Sequence, residues 1–482
     1  MTGISARARN AFQWRAVQLA GVQFVYFLRL LILAKLLVPE AFGLLAIALT
    51  AVGTLMRLSE IGVVPALVQR VNATREEYDA GWTAGLVRAA CITLVLVALA
   101  PIIARLFNEP RATGIIQVLA LRPLIESLSS IGIVRLMRDL RFRELALIYV
   151  PAALVDLVVA VAAAPFLGVW ALVVGALAGA VTSTMFSYVQ APHRPRPTLR
   201  LSVAAPLMSY GRWVLATGVV GVAGTLAMQL VISRQLGAAS LGLFFLASKL
   251  ALLPIEAASA VIGAVAFPMF AGLRGDRAQA AQAFATLLTG LYLLLLPVFA
   301  LLYVLAPQLE QVLGTQWAGT RPLVHLLVVA GIVAILCELV TPLLMGWGRA
   351  DRAFRLDAVQ AVVLLVALLP GVALLGADGA ALSLLLGNLA AAALAVVWMR
   401  QMLPNALSGT GRRIAAAGAA ALAAAAAAGL TAYALPPLTG LVAGGVAGAA
   451  AAGITLRVLD HQLGLELGRF RELLPIPRSG EA

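Results

Sequence analysis

Ten ionisable residues stand inside stretches that are otherwise apolar: the bases Arg29, Arg57, Arg88, Arg122 and Lys249, and the acids Glu60, Glu126, Asp156, Glu256 and Glu338. A charge at the centre of a bilayer costs about 2.5–3.5 kcal/mol on insertion scales, so such a group faces a cavity or a partner. Arg29, in QFVYFLRLLIL, offers a planar fork of donors that suits a phosphate; the competing reading is an ion pair with a nearby acid. Lys249 and Glu256, in LASKLALLPIEAA, are about two turns apart and share a helix face, with Pro254 between them as a kink. They read equally as a cavity cation with its counter-ion and as a structural pair. Arg57 with Glu60 and Arg122 with Glu126 have the i,i+3 and i,i+4 spacings of local helix pairs; a gate is the alternative for Arg57 and Glu60. Arg88, near a span end, is placed to snorkel. Asp156, in IYVPAALVDLVVAVA, has no base on its own helix; it and Glu338, in AILCELVTP, are candidates for a coupling proton or cation. Gln18, Gln23 and Gln229 suit either sugar hydroxyls or interhelical hydrogen bonds, and Gln23 joins Arg29 and Lys249 as a cavity candidate.

The elements that must hold these residues are membrane spans. The chain has 482 residues, 62% of them hydrophobic and 12% charged, and a mean hydropathy of +0.99. A soluble protein carries roughly twice that charge fraction. Apolar runs of roughly 20 residues recur throughout, each long enough to cross a bilayer, whereas a β-barrel shows short alternating segments. The expected fold is therefore an all-α integral membrane protein with about fourteen transmembrane helices, the fourth at 114–134 and the seventh and eighth at 211–235 and 241–268. The N-terminus, MTGISARARN, is basic and no A-x-A-type cleavage site follows, so the first helix reads as retained. Cys91 and Cys337 form neither a metal nor a disulfide pattern.

The formal charge of +14 needs no nucleic-acid partner. With the N-terminus inside, 25 of the 35 Lys and Arg residues fall in cytoplasmic segments and five on the opposite side, the rest lying within spans. That asymmetry places both termini in the cytoplasm. APHRPRPTLRLSVAAPLMSYGR, 191–212, is the longest cytoplasmic connection, and its second half has the composition of a surface amphipathic helix. IAAAGAAALAAAAAAGL, 414–430, reads either as a closely packing helix or as a weakly specified span.

The chain also repeats itself. LAKLLVPEAFGLLAIA, 33–48, returns as ISRQLGAASLGLFFLA, 232–247. An offset of 199 brings Trp14 onto Trp213, Lys35 onto Arg234 and Gly43 onto Gly242; an offset of 212 brings Phe142 and Arg143 onto Phe354 and Arg355, and Gly175 onto Gly387. Six spans used twice keep one orientation, so the expectation is two parallel six-helix lobes related by a pseudo-twofold axis, 1–200 and 201–405. Residues 406–482 then carry two additional helices and a basic tail. Such paired lobes suit an alternating-access transporter.

AKLLVPEAFGLLAIA, followed by LSEIGVVPALVQR at 58–70, resembles the N-terminal signature of polysaccharide flippases in the multidrug/oligosaccharidyl-lipid/polysaccharide exporter superfamily. SYGRWVLATGVVG at 209–221 and LGTQWAGTRPLVHLL at 313–327 are similar to that family's mid-chain patterns, and the likeness extends to about residue 405. The resemblance implies a central cavity and movement of an undecaprenyl-diphosphate-linked oligosaccharide from the inner to the outer leaflet of the bacterial inner membrane. It implies the lipid-linked substrate, membrane lipids and polysaccharide assembly proteins as partners. In the related flippase for the lipid-linked peptidoglycan precursor, bases of the first and eighth spans line the cavity; Arg29 and Lys249 lie in matching spans without a residue-by-residue match.

No phosphate-cradling GxxxxGK[ST], GxSxG, HExxH or CxxC occurs in the sequence, so no enzyme and no cofactor is expected, and energy must come from an H+ or Na+ gradient, the membrane potential or removal of product. A multidrug exporter of the same superfamily is the main alternative; it predicts a cavity dominated by acids, whereas intramembrane bases and acids are here equal in number. An O-antigen polymerase or ligase needs a sizeable external loop bearing catalytic Arg or His, and the longest here, 306–321, carries only Glu310 and Arg321 as charged residues.

Overall fold

A computed structural model describes residues 2–59, 67, 74–198, 211–404, 406 and 410–463; for 2–12, 16, 211–220, 260–261, 264 and 462–463 only the backbone is described. Residues 199–210 of the 191–212 connection, and Glu60, lie outside the described residues. The described regular structure is helical: α1 (Thr2–Leu36), α2 (Pro39–Leu58), α3 (Arg75–Leu106), α4 (Ala112–Leu119), α5 (Leu121–Ser127), α6 (Ile133–Arg138), α7 (Phe142–Leu167), α8 (Val169–Gln190), α9 (Gly211–Ala251), α10 (Leu253–Gly272), α11 (Arg277–Leu313), α12 (Thr320–Gly346), α13 (Ala350–Leu375), α14 (Ala377–Met402), α15 (Thr410–Tyr433) and α16 (Pro437–Leu463). Twelve spans among the described residues are long and apolar enough to cross a membrane.

Local chemistry sets the ends. Val38 is extended (φ −78°, ψ 156°) because Pro39 follows it, and Pro39 takes the first position of α2, where its missing N–H costs nothing. Thr74 and Glu77 close a capping box on α3: Glu77 N donates to Thr74 Oγ1 at 3.3 Å and Thr74 N donates to Glu77 Oε2 at 2.8 Å. Asp276 caps α11 by accepting from Gln279 N at 2.9 Å.

The span expected at 114–134 is broken into α4, α5 and the start of α6. Side chains of α3 and α8 collect carbonyls around the breaks. Thr93 Oγ1 donates to Ala120 O at 2.7 Å, Thr184 Oγ1 to Ile125 O at 2.9 Å and Tyr188 Oη to Leu128 O at 2.7 Å. Hydropathy averages over a window and does not register such breaks. α9 continues through the expected gap between spans seven and eight and kinks at Gly237 (φ 79°, ψ 176°); the next break falls at Leu252, inside the expected eighth span.

The described chain forms two compact units, dividing after Gly242. Within the first, the two copies of the repeated corner meet. A Cβ built on Gly43 overlaps the carbonyl oxygen of Ala238, and one on Gly242 overlaps that of Pro39. These partners correspond at the same offset of 199, so the contact is reciprocal about a local twofold. Arg111 pairs with Glu40 (2.8 Å) and Glu109 (3.0 Å), and Glu109 accepts the Ala238 N–H at 3.1 Å.

In the second unit, α13 and α14 form a hairpin that parallels α7 and α8 of the first. Gly168 (φ 55°) and Gly376 (φ 61°) make the two turns, and α7 and α13 each have 26 residues. Arg141 N donates to Leu136 O at 2.9 Å and Arg349 N to Leu344 O at 2.8 Å, with Leu140 (φ 57°) and Gly348 (φ 72°) in the same left-handed conformation. The structural offset here is 208. The sequence match at 212 is displaced by four residues, about one helical turn, a shift that keeps similar residues on one face. Gly179, rather than Gly175, corresponds to Gly387: built Cβ atoms meet Ala152 O and Asp156 Cβ in the first unit, and Gln360 O and Leu364 Cβ in the second.

The alanine-rich segment packs closely. Cβ atoms on Gly440, Gly444 and Gly448 of α16 would meet Ala432, Ala428 and Ala424 of α15. These alanines are buried, and α15 also packs on α11.

Candidate functional site

The first unit gathers Arg29 of α1 and Asp156 of α7, which are far apart in sequence. Arg29 Nε lies 2.9 Å from Asp156 Oδ1, with side-chain exposures of 15% and 8%. The contact is an ion pair; the directed hydrogen bond of the guanidinium runs from Nη2 to the Leu172 carbonyl at 3.0 Å. Two glycines of α8 make the space. A Cβ on Gly175 would come 2.7 Å from Asp156 Oδ1, and one on Gly179 would come 3.0 Å from Asp156 Cβ. The pair is thus seated in a groove that the GALAG segment, 175–179, leaves open. Asp156, thirteen residues from Arg143 on its own helix, takes its base from α1.

The first unit holds further polar groups. Tyr26 lies within electrostatic reach of Arg122, Asp156, Arg29 and Glu126. Arg122 Nε donates to Glu126 Oε1 at 2.8 Å, and these side chains are 36% and 41% exposed. Gln23 is half-buried. Arg15 donates to the buried Gln18 at 2.9 Å, and Thr50 Oγ1 donates to Gln229 Oε1. Arg57 is exposed near the end of α2, while Arg88 donates to the Ser59 carbonyl at 3.3 Å.

The second unit gathers Lys249, Glu256 and Glu338. Lys249 Nζ lies 3.2 Å from Glu256 Oε1, with exposures of 44% and 49%. One turn beyond Glu256, Ser259 Oγ lies 2.6 Å from Glu338 Oε2 and 2.8 Å from Ile255 O, so its single proton serves one acceptor at a time. Asp357 of α13 lies within electrostatic reach of Glu338. Among the described residues no group of three or more His, Cys, Asp and Glu is arranged to hold a metal ion.

Charged side chains this exposed at membrane depth face water-filled space, because contact with acyl chains is too costly. Each unit thus pairs its intramembrane charges, and the exposed pairs are Arg122–Glu126 in the first unit and Lys249–Glu256 in the second. Spacing along the chain reveals Arg122–Glu126 within α5 and Lys249–Glu256 across the break between α9 and α10; it is blind to Arg29–Asp156 and Ser259–Glu338, whose partners are far apart in sequence. The GxxxG spacing at 175–179 was the one local sign that something packs closely against α8.

A family model described as polysaccharide biosynthesis protein matches residues 32–322. The chain is 25% identical over 383 residues to the lipopolysaccharide biosynthesis protein WzxC of Escherichia coli (strain K12), covering 78% of this chain and 77% of that protein. It is 26% identical over 351 residues to the succinoglycan biosynthesis transport protein ExoT of Rhizobium meliloti (strain 1021), covering 72% and 71%. The fold is shared with the lipid II flippase MurJ in an inward closed conformation, with a TM-score of 0.72 and 12% identity over 93% of this chain and 99% of that one. It is also shared with an inward-facing multidrug resistance MATE family transporter of the MOP superfamily, at a TM-score of 0.61 and 16% identity over 82% and 99%. With more than half of its length matched by one family model, the chain belongs to the polysaccharide biosynthesis protein family.

Proposed function

We propose that this protein is a flippase: it carries an undecaprenyl-diphosphate-linked oligosaccharide from the inner to the outer leaflet of the bacterial cytoplasmic membrane, for lipopolysaccharide or exopolysaccharide assembly. The observation that carries the reading is Arg29, a guanidinium at mid-span whose Nε is held by Asp156 while Nη1 has no partner among the described residues. Such a fork suits a phosphate oxygen. Lys249, exposed beside Glu256, supplies a second cation for the same anionic class. The family and the transport and lipopolysaccharide roles named for its relatives support this substrate class.

The six-helix halves 1–200 and 201–405 alternate access, while 406–482 adds two helices and a tail; both termini are cytoplasmic, a placement that the Lys and Arg asymmetry favours. Glu338, with Ser259 and Asp357 nearby, is the seat for a coupling proton or sodium ion. Nothing in this cycle makes or breaks a covalent bond.

The test compares a deletion strain with its parent. Lipid-linked oligosaccharide should accumulate in the inner membrane as surface polysaccharide disappears, and the wild-type gene should reverse both. Unchanged polysaccharide with raised sensitivity to cationic drugs would instead support a multidrug exporter.

A further inference from the structure

The broken span α4–α6 does more than fill the first unit. Transmembrane segments are broken where the freed backbone is buried in protein or lines a wet cavity, and in transporters such breaks mark binding sites. The carbonyls of Ala120, Ile125 and Leu128 are each taken up by a side chain from α3 or α8, so the break is held in one conformation. What the break displays is Arg122, one residue past the start of α5.

Arg122 directs only Nε to Glu126; both of its terminal nitrogens lack a partner among the described residues. Arg29 likewise uses Nε for Asp156 and Nη2 for Leu172, leaving Nη1. Tyr26 lies within electrostatic reach of both arginines and of their carboxylates, and it is 39% exposed. Two half-used guanidiniums and a phenol hydroxyl thus lie in one neighbourhood of the first unit. The i,i+4 spacing of Arg122 and Glu126 suggests a helix-stabilising pair, but an exposed pair of that kind stabilises by only about 0.3–0.5 kcal/mol. That is little return for placing two charges at membrane depth.

We infer that Arg122 is a second phosphate-binding residue, and that Arg29, Arg122 and Tyr26 together form a seat for a diphosphate, one guanidinium to each phosphate. Asp156 and Glu126 are positioning residues: Asp156 sits against Nε of Arg29 and leaves Nη1 for the ligand, and Glu126 accepts from Nε of Arg122 and leaves both of its terminal nitrogens. The four charged groups sum to zero, so the bound diphosphate is not over-neutralised and can leave. The inference rests on the flippase reading and adds to it a reason for discriminating diphosphate from monophosphate carriers.

The experiment measures binding of undecaprenyl diphosphate and undecaprenyl monophosphate to the purified full-length protein in detergent, by native mass spectrometry. Wild type is expected to prefer the diphosphate by at least tenfold, the equivalent of about 1.4 kcal/mol. Arg122→Ala should lose that preference while binding the monophosphate within about twofold of wild type, a pattern that a purely structural role does not produce. Arg122→Lys, which keeps the charge and loses the fork, should fall between the two and guards against misfolding of the alanine variant. An Arg122→Ala protein that keeps the wild-type preference overturns the seat and leaves the flippase reading standing. Wild type that binds neither lipid overturns both.

Discussion

Replacing Gly175 by alanine should damage the protein more than the same change at other helical glycines, and the structure says by how much. The added Cβ would stand 2.6 Å from Ala160 Cβ, 2.7 Å from Asp156 Oδ1 and 2.8 Å from the Asp156 carbonyl oxygen. Ordinary contacts there are about 3.5–4.0 Å. A turn of the Asp156 side chain relieves only one of the three clashes; the other two involve a methyl fixed to α7 and the α7 backbone. α7 and α8 must therefore separate by close to 1 Å, and the carboxylate that moves with α7 is drawn from Arg29, now at 2.9 Å. Overpacking of this sort costs about 1–3 kcal/mol. Gly179→Ala should be milder, since its contacts start at 3.0 Å. Gly85→Ala is the control: nothing lies within 4 Å of its Cβ, so it should be neutral or stabilising by about 0.4–1 kcal/mol. Denaturant unfolding of the three purified variants in one detergent orders them. The reasoning fails if Gly175→Ala is as stable as Gly85→Ala.

Three further outcomes follow from the same geometry. Asp156→Asn should destabilise by about 3 kcal/mol by leaving the Arg29 charge uncompensated, and Arg29→Met combined with Asp156→Met should recover most of it in the same unfolding assay. Gly43→Val and Gly242→Val should each disrupt the reciprocal corner, read as lost surface polysaccharide with reduced protein in the membrane; wild-type levels of both would contradict the close approach. Glu338→Gln keeps an acceptor for Ser259 but removes the charge, so transport should continue and lose its dependence on an imposed ion gradient; unchanged dependence would remove Glu338 from coupling.

Much of the fold is legible in residue types. Pro39 after Val38 announces the corner, Thr74 with Glu77 announces the start of α3, and the apolar runs announce the spans. The repeat is legible too, but its register is not. Leu136-Met137-x-x-x-Arg141 and Leu344-Met345-x-x-x-Arg349 set the offset at 208, and the match at 212 arises because one helical turn restores the same face. The breaks around Arg122 escape hydropathy because the residues on either side remain apolar. The polar face is legible only in part. Lys249 and Glu256 stand seven residues apart on either side of the break at Leu252, so spacing along the chain suffices to pair them, whereas Arg29 finds Asp156 through packing of α1 on α7 and through the room left by two glycines of α8.

The most direct test of the central claim is leaflet exchange itself. Proteoliposomes would carry purified protein and a fluorescent undecaprenyl-diphosphate-linked oligosaccharide, with a membrane-impermeant glycosidase added outside. Wild type should render nearly all of the glycan cleavable, protein-free vesicles only the outer-leaflet half, and Arg29→Ala should resemble the protein-free vesicles at equal protein content. Wild type that leaves the inner-leaflet half protected, or Arg29→Ala that exchanges it as fast as wild type, would contradict the account.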